Sequence, residues 1–231
     1  MLDGFLVVWK PKGPTSHDVV ERVRLALGVR AGHAGTLDPA AEGVLVLGLG
    51  EARKFIRWLR DDKEYEGELR LGQESDTLDL EGTLSPPVPV TATPAEIRAA
   101  GAGLAGEITL PVPAYSAVQV GGRRLHEAAR AGEAVAAPLR TFHVTALEIL
   151  EVESPLVRFR VACAAGTYVR SLAAEWGRRL GCGAVLTALV RTRAGIFRLE
   201  DAAPPDAFTG SDGPAAAAAR HRLSADPGMD A

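Results

Sequence analysis

The segment KEYEGELRLG, residues 63–72, alternates without a break. Tyr65, Gly67, Leu69 and Leu71 share one side, and Glu64, Glu66, Glu68 and Arg70 share the other. Successive side chains of a strand point to opposite faces, so this pattern places one face in a core and one in solvent. RTFHVTALEILEVE and LVRFRVACAAG read as two more strands, GFLVVWK and GVLVLGLG as short buried ones, and GIFRLED as the last. Between them lie helical stretches. Thr15 or Ser16 caps a helix over HDVVERVRLAL, where Val19, Val23 and Leu27 fall on one face. EARKFIRWLR sets Ala52, Phe55, Ile56 and Leu59 at helical spacing and leaves Arg53, Lys54, Arg57 and Arg60 more exposed. TPAEIRAAGAGL is predicted as a helix with Thr93 as its cap and Pro94 at its first position. TYVRSLAAEWGRRLG is amphipathic, while GVRAGHAGT and QESDTLDLEGTLSPPVPV read as loops. Strand hairpins interrupted by helices define an α+β fold with a largely antiparallel sheet.

Composition narrows the function classes. The 231 residues suffice for one large domain or two small ones. No apolar run approaches the ~20 residues that cross a bilayer, and MLDGFLVVWKPKG lacks the marks of a signal peptide, so a cytoplasmic protein without membrane partners is expected. Cys163 and Cys182 are too few for a disulfide framework and lack zinc-site spacing, so both read as buried thiols. The net charge of −3 gives no bulk signal for nucleic acid, although a local basic face remains open on such a chain. VLGLGEARKF opens like a dinucleotide fingerprint but carries Arg53 at the third glycine position. HEAAR opens like a zinc-protease helix at His126 but has Arg130 where the second histidine belongs. No phosphate-cradling P-loop and no nucleophile-elbow serine motif is present. Redox, metal and nucleoside-triphosphate chemistry are therefore disfavoured. Beyond Ala203 the chain turns Pro-, Ala- and Gly-rich, and residues 203–231 read as a tail rather than a separate domain.

One acid stands out. In GHAGTLDPAAEGVL, Asp38 lies between a glycine-rich approach and a proline, and an apolar run follows. Asp-Pro suits a turn, and a turn alone would explain it. A carboxylate displayed on a loop that a buried strand anchors is also a common way to build a site.

Five segments, in order, carry a family resemblance. RAGHAGTLDPAAEGVLVLGLGEARKF resembles the signature of the bacterial TruB family, the tRNA pseudouridine-55 synthases. KPKGPTSHDVV is similar to that family's N-terminal motif, and KEYEGELRLGQESDTLDLEG to its tyrosine-bearing strand and following loop. PVPAYSAVQVGGRRLHEAARAG resembles its RNA-gripping thumb, and GTYVRSLAAEWGRRLGCGAVLTALVRTRAG its C-terminal active-site motifs. The resemblance spans roughly residues 5–200. It implies a pseudouridine synthase fold: a mixed, largely antiparallel central sheet flanked by helices. Residues 1–202 would form the catalytic domain and 112–140 the thumb-like insertion. The tail from 203 leaves no room for the PUA RNA-binding domain that many members carry.

The resemblance also implies roles. Asp38 is the catalytic acid, and Arg170 is the arginine that pairs with it. Tyr65 stacks on the target base, Tyr168 shares the pocket and Leu189 closes the other face of the uracil. His33 meets the remodelled RNA loop. Lys10 either buttresses the site or binds phosphate, and Lys54, Arg123, Arg124 and Arg130 are candidate phosphate contacts. Each also has a plain structural reading: Tyr65 and Leu189 as core, His33 as a loop residue, the cations as a solvated face. The implied reaction needs no cofactor and no metal, its substrate is the tRNA T-arm, and a monomer is expected. Two other readings stay open: a catalytically idle RNA-binding module on the same scaffold, and a glycoside hydrolase acting through Asp38. The second usually demands another carboxylate, and none lies at a suggestive spacing.

Overall fold

A computed structural model describes residues 2–59, 62–133, 136–209 and 222–223. In chain order the strands and α-helices are β1 (Gly4–Lys10), α1 (Ser16–Leu27), β2 (Ala31–His33), β3 (Glu42–Leu49), β4 (Lys63–Leu71), α2 (Pro94–Ala102), β5 (Gly106–Pro111), β6 (Gln119–Val120), β7 (Arg123–Arg124), α3 (Leu125–Arg130), β8 (Leu139–Glu153), β9 (Leu156–Cys163), α4 (Val169–Arg179), β10 (Ala184–Ala194), β11 (Phe197–Arg198) and β12 (Arg222–Leu223). A 3₁₀ helix, Gly50–Trp58, follows β3. The chain divides into two compact units, residues 1–65 with 190–231, and residues 66–189. β4 and β10 each contribute residues to both.

In the first unit, β1 runs antiparallel to β3, β2 pairs antiparallel with the far end of β3, and β10 joins β3 in parallel at Val190–Glu42 and Arg191–Gly43. β1 and β3 are apolar on both faces because both faces are covered. Leu6, Val8, Leu45, Leu47 and Leu49 meet Val19, Val20 and Val23 of α1, while Phe5, Val7, Val44 and Val46 meet Ala52 and Phe197. Helix α1 starts where its sequence directs: Thr15 and Asp18 form a reciprocal capping box, and Gly28 ends the helix at φ 63°. The start of the expected tail belongs to this unit. Ala203 bonds the β1 backbone through Val7 and Trp9, and Phe208 is fully buried beside Leu6 and Val8. The remainder of that segment, apart from 222–223, lies outside the described residues.

The second unit orders its strands β10-β4-β9-β8-β5. β8 and β9 form a long antiparallel hairpin, and β5 pairs antiparallel with β8 from Gly106–Val144 to Pro111–Leu139. Thr93 caps α2 with Glu96 in a second capping box, and Pro94 sits at its first position. Trp176 of α4 is buried against Phe159 and donates its indole N–H to the Ile97 carbonyl at 2.9 Å. Gly67 interrupts the apolar face of β4 because a Cβ there would lie 2.6 Å from the Phe159 ring. The expected insertion is bounded by a Val112 N–H to Pro138 carbonyl bond of 3.0 Å. It contains the paired strands β6 and β7, joined by a turn at Gly121 and Gly122 with φ 59° and 83°, and the short helix α3. No described helix is long and apolar enough to cross a membrane.

Several local readings need correction, among them Cys182, expected as a buried thiol like Cys163 but only half-buried. EARKFIRWLR forms a 3₁₀ helix, and Phe55, expected on its inner face, is 54% exposed. A three-residue turn cannot keep positions 52, 55, 56 and 59 on one side. GVRAGHAGT contains the short strand β2, which β3 recruits as an edge. GEITLP, not distinguished in the sequence, is β5. GAVLTALVRTRAG is itself the long strand β10, whereas GIFRLED gives only the two residues of β11 before turning 3₁₀ at Leu199–Asp201.

The parallel contact of β3 with β10 demands glycine at 43. Its φ is 110°, and a Cβ would overlap the Arg191 carbonyl oxygen and lie 2.8 Å from the Arg191 amide nitrogen. Gly43→Ala is expected to cost about 2–5 kcal/mol of stability, from strained backbone plus overpacking, as read by denaturant unfolding.

Candidate active site

The Asp38 stretch folds as a pinned turn. The Ala41 N–H donates to the Asp38 carbonyl at 3.1 Å, which places Pro39 at the second position of a four-residue turn, where its fixed φ is favoured. The residue before Asp38 is clamped twice. Ser16 Oγ donates to the Leu37 carbonyl at 2.9 Å and accepts the Leu37 N–H at 2.8 Å. Lys10 holds the other side. It is fully buried, and its Nζ donates to the carbonyls of Ala41 at 2.6 Å, Pro11 at 3.1 Å and Pro39 at 3.3 Å. Of its two expected roles, the geometry is that of a buttress.

Arg191, in the C-terminal half of β10, completes the cradle. It too is fully buried. Its Nε donates to the Val44 carbonyl at 2.7 Å, and its Nη atoms to the carbonyls of Gly35 at 3.2 Å and Thr36 at 3.3 Å. Backbone on both sides of Asp38 is thus fixed by side chains from β1, α1 and β10, while Asp38 itself stays half-buried. Charge-assisted bonds from a planar guanidinium hold such a loop more rigidly than water could.

Three other expected residues share this unit. His33 ends β2, half-buried, and burial together with the nearby Arg191 charge lowers its imidazole pKa below the ordinary value, leaving it neutral at pH 7. Tyr65 is 6% exposed, on the inward face of β4 that its alternation predicts. Lys54 lies on the 3₁₀ helix, exposed and paired with Glu51.

The second unit carries the rest. Tyr168 is the residue that precedes α4, half-buried, with its ring edge-on to Phe142 at 6.1 Å. Arg170 follows in the first turn, 5% exposed. It donates to the Thr77 carbonyl at 2.8 Å and the Tyr115 carbonyl at 3.1 Å, and its Nη1 lies 3.6 Å from Asp79 Oδ2. Asp79 is 4% exposed and also accepts from Thr77 Oγ1 at 2.6 Å and the Glu81 N–H at 3.0 Å. Leu78 between them adopts φ 65°, a strained conformation for a branched side chain, and its carbonyl accepts from the Leu186 N–H at 3.1 Å. Leu189 lies half-buried on β10. Arg124 and Arg130 are exposed on the insertion, whereas Arg123 is tied to Glu133 by bonds of 2.8 and 3.0 Å.

The structure thus gathers Asp38, His33, Lys10, Tyr65 and Lys54 in one unit, and Tyr168, Arg170, Leu189 and the insertion arginines in the other. Sequence reasoning missed Ser16, Arg191 and Asp79. Nothing local in ALVRTRAG separates Arg191 from Arg193.

Comparison with solved structures gives the class. The chain is similar to a chain in the crystal structure of a Cbf5-Nop10-Gar1 complex, at TM-score 0.69 and 33% identity over 89% of this chain and 53% of that one. It is also similar to a chain in an H/ACA RNP bound to a substrate RNA containing 2′-deoxyuridine, at TM-score 0.67 and 31% identity over 89% of this chain and 52% of that one. The architecture is accordingly α+β of the pseudouridine synthase type. Curated relatives named tRNA pseudouridine synthase B include those of Aromatoleum aromaticum, 48% identical over 87% of this chain and 66% of the relative, and Opitutus terrae, 46% identical over 90% and 87%. The chain spans about two thirds of the length of the Aromatoleum relative and of one from Syntrophus aciditrophicus, 46% identical over 87% of this chain and 65% of that one. A family model described as TruB family pseudouridylate synthase (N terminal domain) matches residues 23–169, and the chain belongs to that family.

Proposed function

We propose that this chain converts uridine to pseudouridine in tRNA, at position 55 of the T-loop, acting as a cytoplasmic monomer. The observation that carries this reading is the pinned turn at Asp38: backbone on both sides is fixed while Asp38 itself stays half-buried. The reaction breaks the bond between uracil N1 and ribose C1′ and joins C5 to C1′. The C5 proton leaves and N1 gains one, so atoms balance without oxidant, metal or added group. Asp38 starts the exchange, by attack on the nucleoside or by removing a sugar proton, and either route needs an ionised carboxylate held in one place. Arg170 is the cation that keeps Asp38 ionised in the reacting complex. Tyr65 and Leu189 cover the two faces of the uracil, and Tyr168 walls the pocket against water, which would hydrolyse a released sugar cation. His33, neutral, meets the RNA loop from which the uridine is extruded. The arginines of the insertion supply phosphate contacts.

The test is incubation with an unmodified tRNA transcript, without cofactor, followed by pseudouridine mapping. A single pseudouridine at the T-loop uridine is expected. A transcript left unchanged there overturns the proposal, and release of free uracil assigns hydrolysis instead.

A further inference from the structure

The 3₁₀ helix Gly50–Trp58 presents a face that neither the core nor the chemistry at Asp38 uses. Residues three apart eclipse one another in 3₁₀ geometry, so the segment has three ridges. Arg53 and Ile56 form the ridge that packs on β2 and β3: a Cβ at Gly32 would meet them at 3.8–3.9 Å, and one at Gly48 would meet Arg53 Cα at 3.0 Å. The second ridge is Ala52, Phe55 and Trp58. Ala52 joins the core, but Phe55 is 54% and Trp58 62% exposed, with ring centroids 5.5 Å apart. The third ridge is Glu51, Lys54 and Arg57. Lys54 pairs with Glu51, and the Arg57 guanidinium lies 4.1 Å from the Trp58 ring centroid. Residues 53–58 line an open cleft of about 500 Å³.

We propose that this face is a second RNA contact, distinct from the site of isomerisation. An unpaired nucleotide of the substrate RNA, other than the target uridine, stacks its base on the Phe55–Trp58 ridge while Arg57 and Lys54 take its phosphates. Three observations select RNA. Exposed aromatics beside cations are the combination that binds single-stranded nucleic acid, because every base offers a π-face and every linkage a negative charge. Within Gly50–Trp58, three cations (Arg53, Lys54, Arg57) oppose one acid (Glu51), a local positive charge on a chain of net −3. The helix also packs on β2, whose last residue His33 leads into the Asp38 turn, so the platform stands on the same unit as the acid. Extruding a uridine unstacks its neighbours, and a nucleotide freed in this way finds an aromatic surface there. The inference rests on the reading that the chain acts on tRNA.

Intrinsic fluorescence tests it. Of the three tryptophans, Trp176 is 1% exposed and Trp9 half-buried, so acrylamide quenching reports chiefly on Trp58. Saturating unmodified tRNA transcript is expected to shield tryptophan emission from acrylamide. Trp58→Ala is expected to weaken tRNA affinity about tenfold, and Trp58→Phe to bind like wild type. A wild-type protein that modifies tRNA while its emission stays fully quenchable, with Trp58→Ala binding within twofold, overturns this contact and leaves the activity standing. A wild-type protein that neither binds nor modifies tRNA overturns both. If Trp58→Ala instead dissolves a self-associated form in sedimentation and leaves RNA affinity unchanged, the face joins copies of this chain and the proposal fails.

Discussion

Asp38→Asn is expected to bind tRNA with near wild-type affinity and to form no pseudouridine above background, a loss of at least about 10²–10⁴-fold. The two side chains have the same shape. Asparagine suits the first position of the turn as well as aspartate does, so the Ala41 to Asp38 backbone bond and the Lys10 and Ser16 clamps survive. What vanishes is a charge and a basic, nucleophilic oxygen. Filter binding paired with pseudouridine mapping separates the two properties, and an unchanged thermal transition shows that the fold is intact. Turnover retained by Asp38→Asn would remove this residue from the chemistry and return it to the role of a turn former.

Arg191→Met is the second large effect. Methionine keeps an unbranched apolar stem, ends short of the guanidinium and satisfies none of the three carbonyls that Arg191 holds. One charge-assisted bond contributes about 1.5–3 kcal/mol, and the desolvation of a buried guanidinium is saved, so the net loss is expected near 2–4 kcal/mol in denaturant unfolding. The catalytic loss is expected to be larger than stability alone explains. Gly35 and Thr36 lie just before Asp38, and a displacement of about 1 Å at a reacting group costs on the order of 10²-fold in rate. A fall in kcat with little change in KM is the signature of this positioning role. Arg191→Lys, able to reach fewer carbonyls, is expected to fall between. A variant that keeps kcat within twofold would leave Arg191 with a purely structural part.

Features governed by neighbours along the chain were readable in advance. The alternation through Tyr65, Leu69 and Leu71 and the Thr15 and Thr93 caps are set by local geometry, which residue types report directly. Features governed by distant partners were not. β2 is a strand only because β3 offers it an edge, and the inner positions of the 3₁₀ helix follow its packing on β2 and β3 rather than an α-helical period. The site divides likewise. Asp38 is marked by its flanking glycines and proline, whereas Ser16 and Arg191 act on carbonyls 21 and 147–156 positions away. A serine at a helix start and an arginine in a strand carry no local sign of such partners. Asp79 sat in a loop with several acids, and only the fold shows that it is the one buried near Arg170.

The bounds of the insertion leave its length free. Its chain leaves the sheet at Pro111 and returns at Leu139, two positions paired directly across β5 and β8. Any segment whose ends meet the same spacing can be spliced there, down to a tight hairpin, without altering the register of either strand. The insertion can therefore be lengthened or trimmed while β5 and β8 keep their register and the turn at Asp38, clamped from β1, α1 and β10, keeps its geometry.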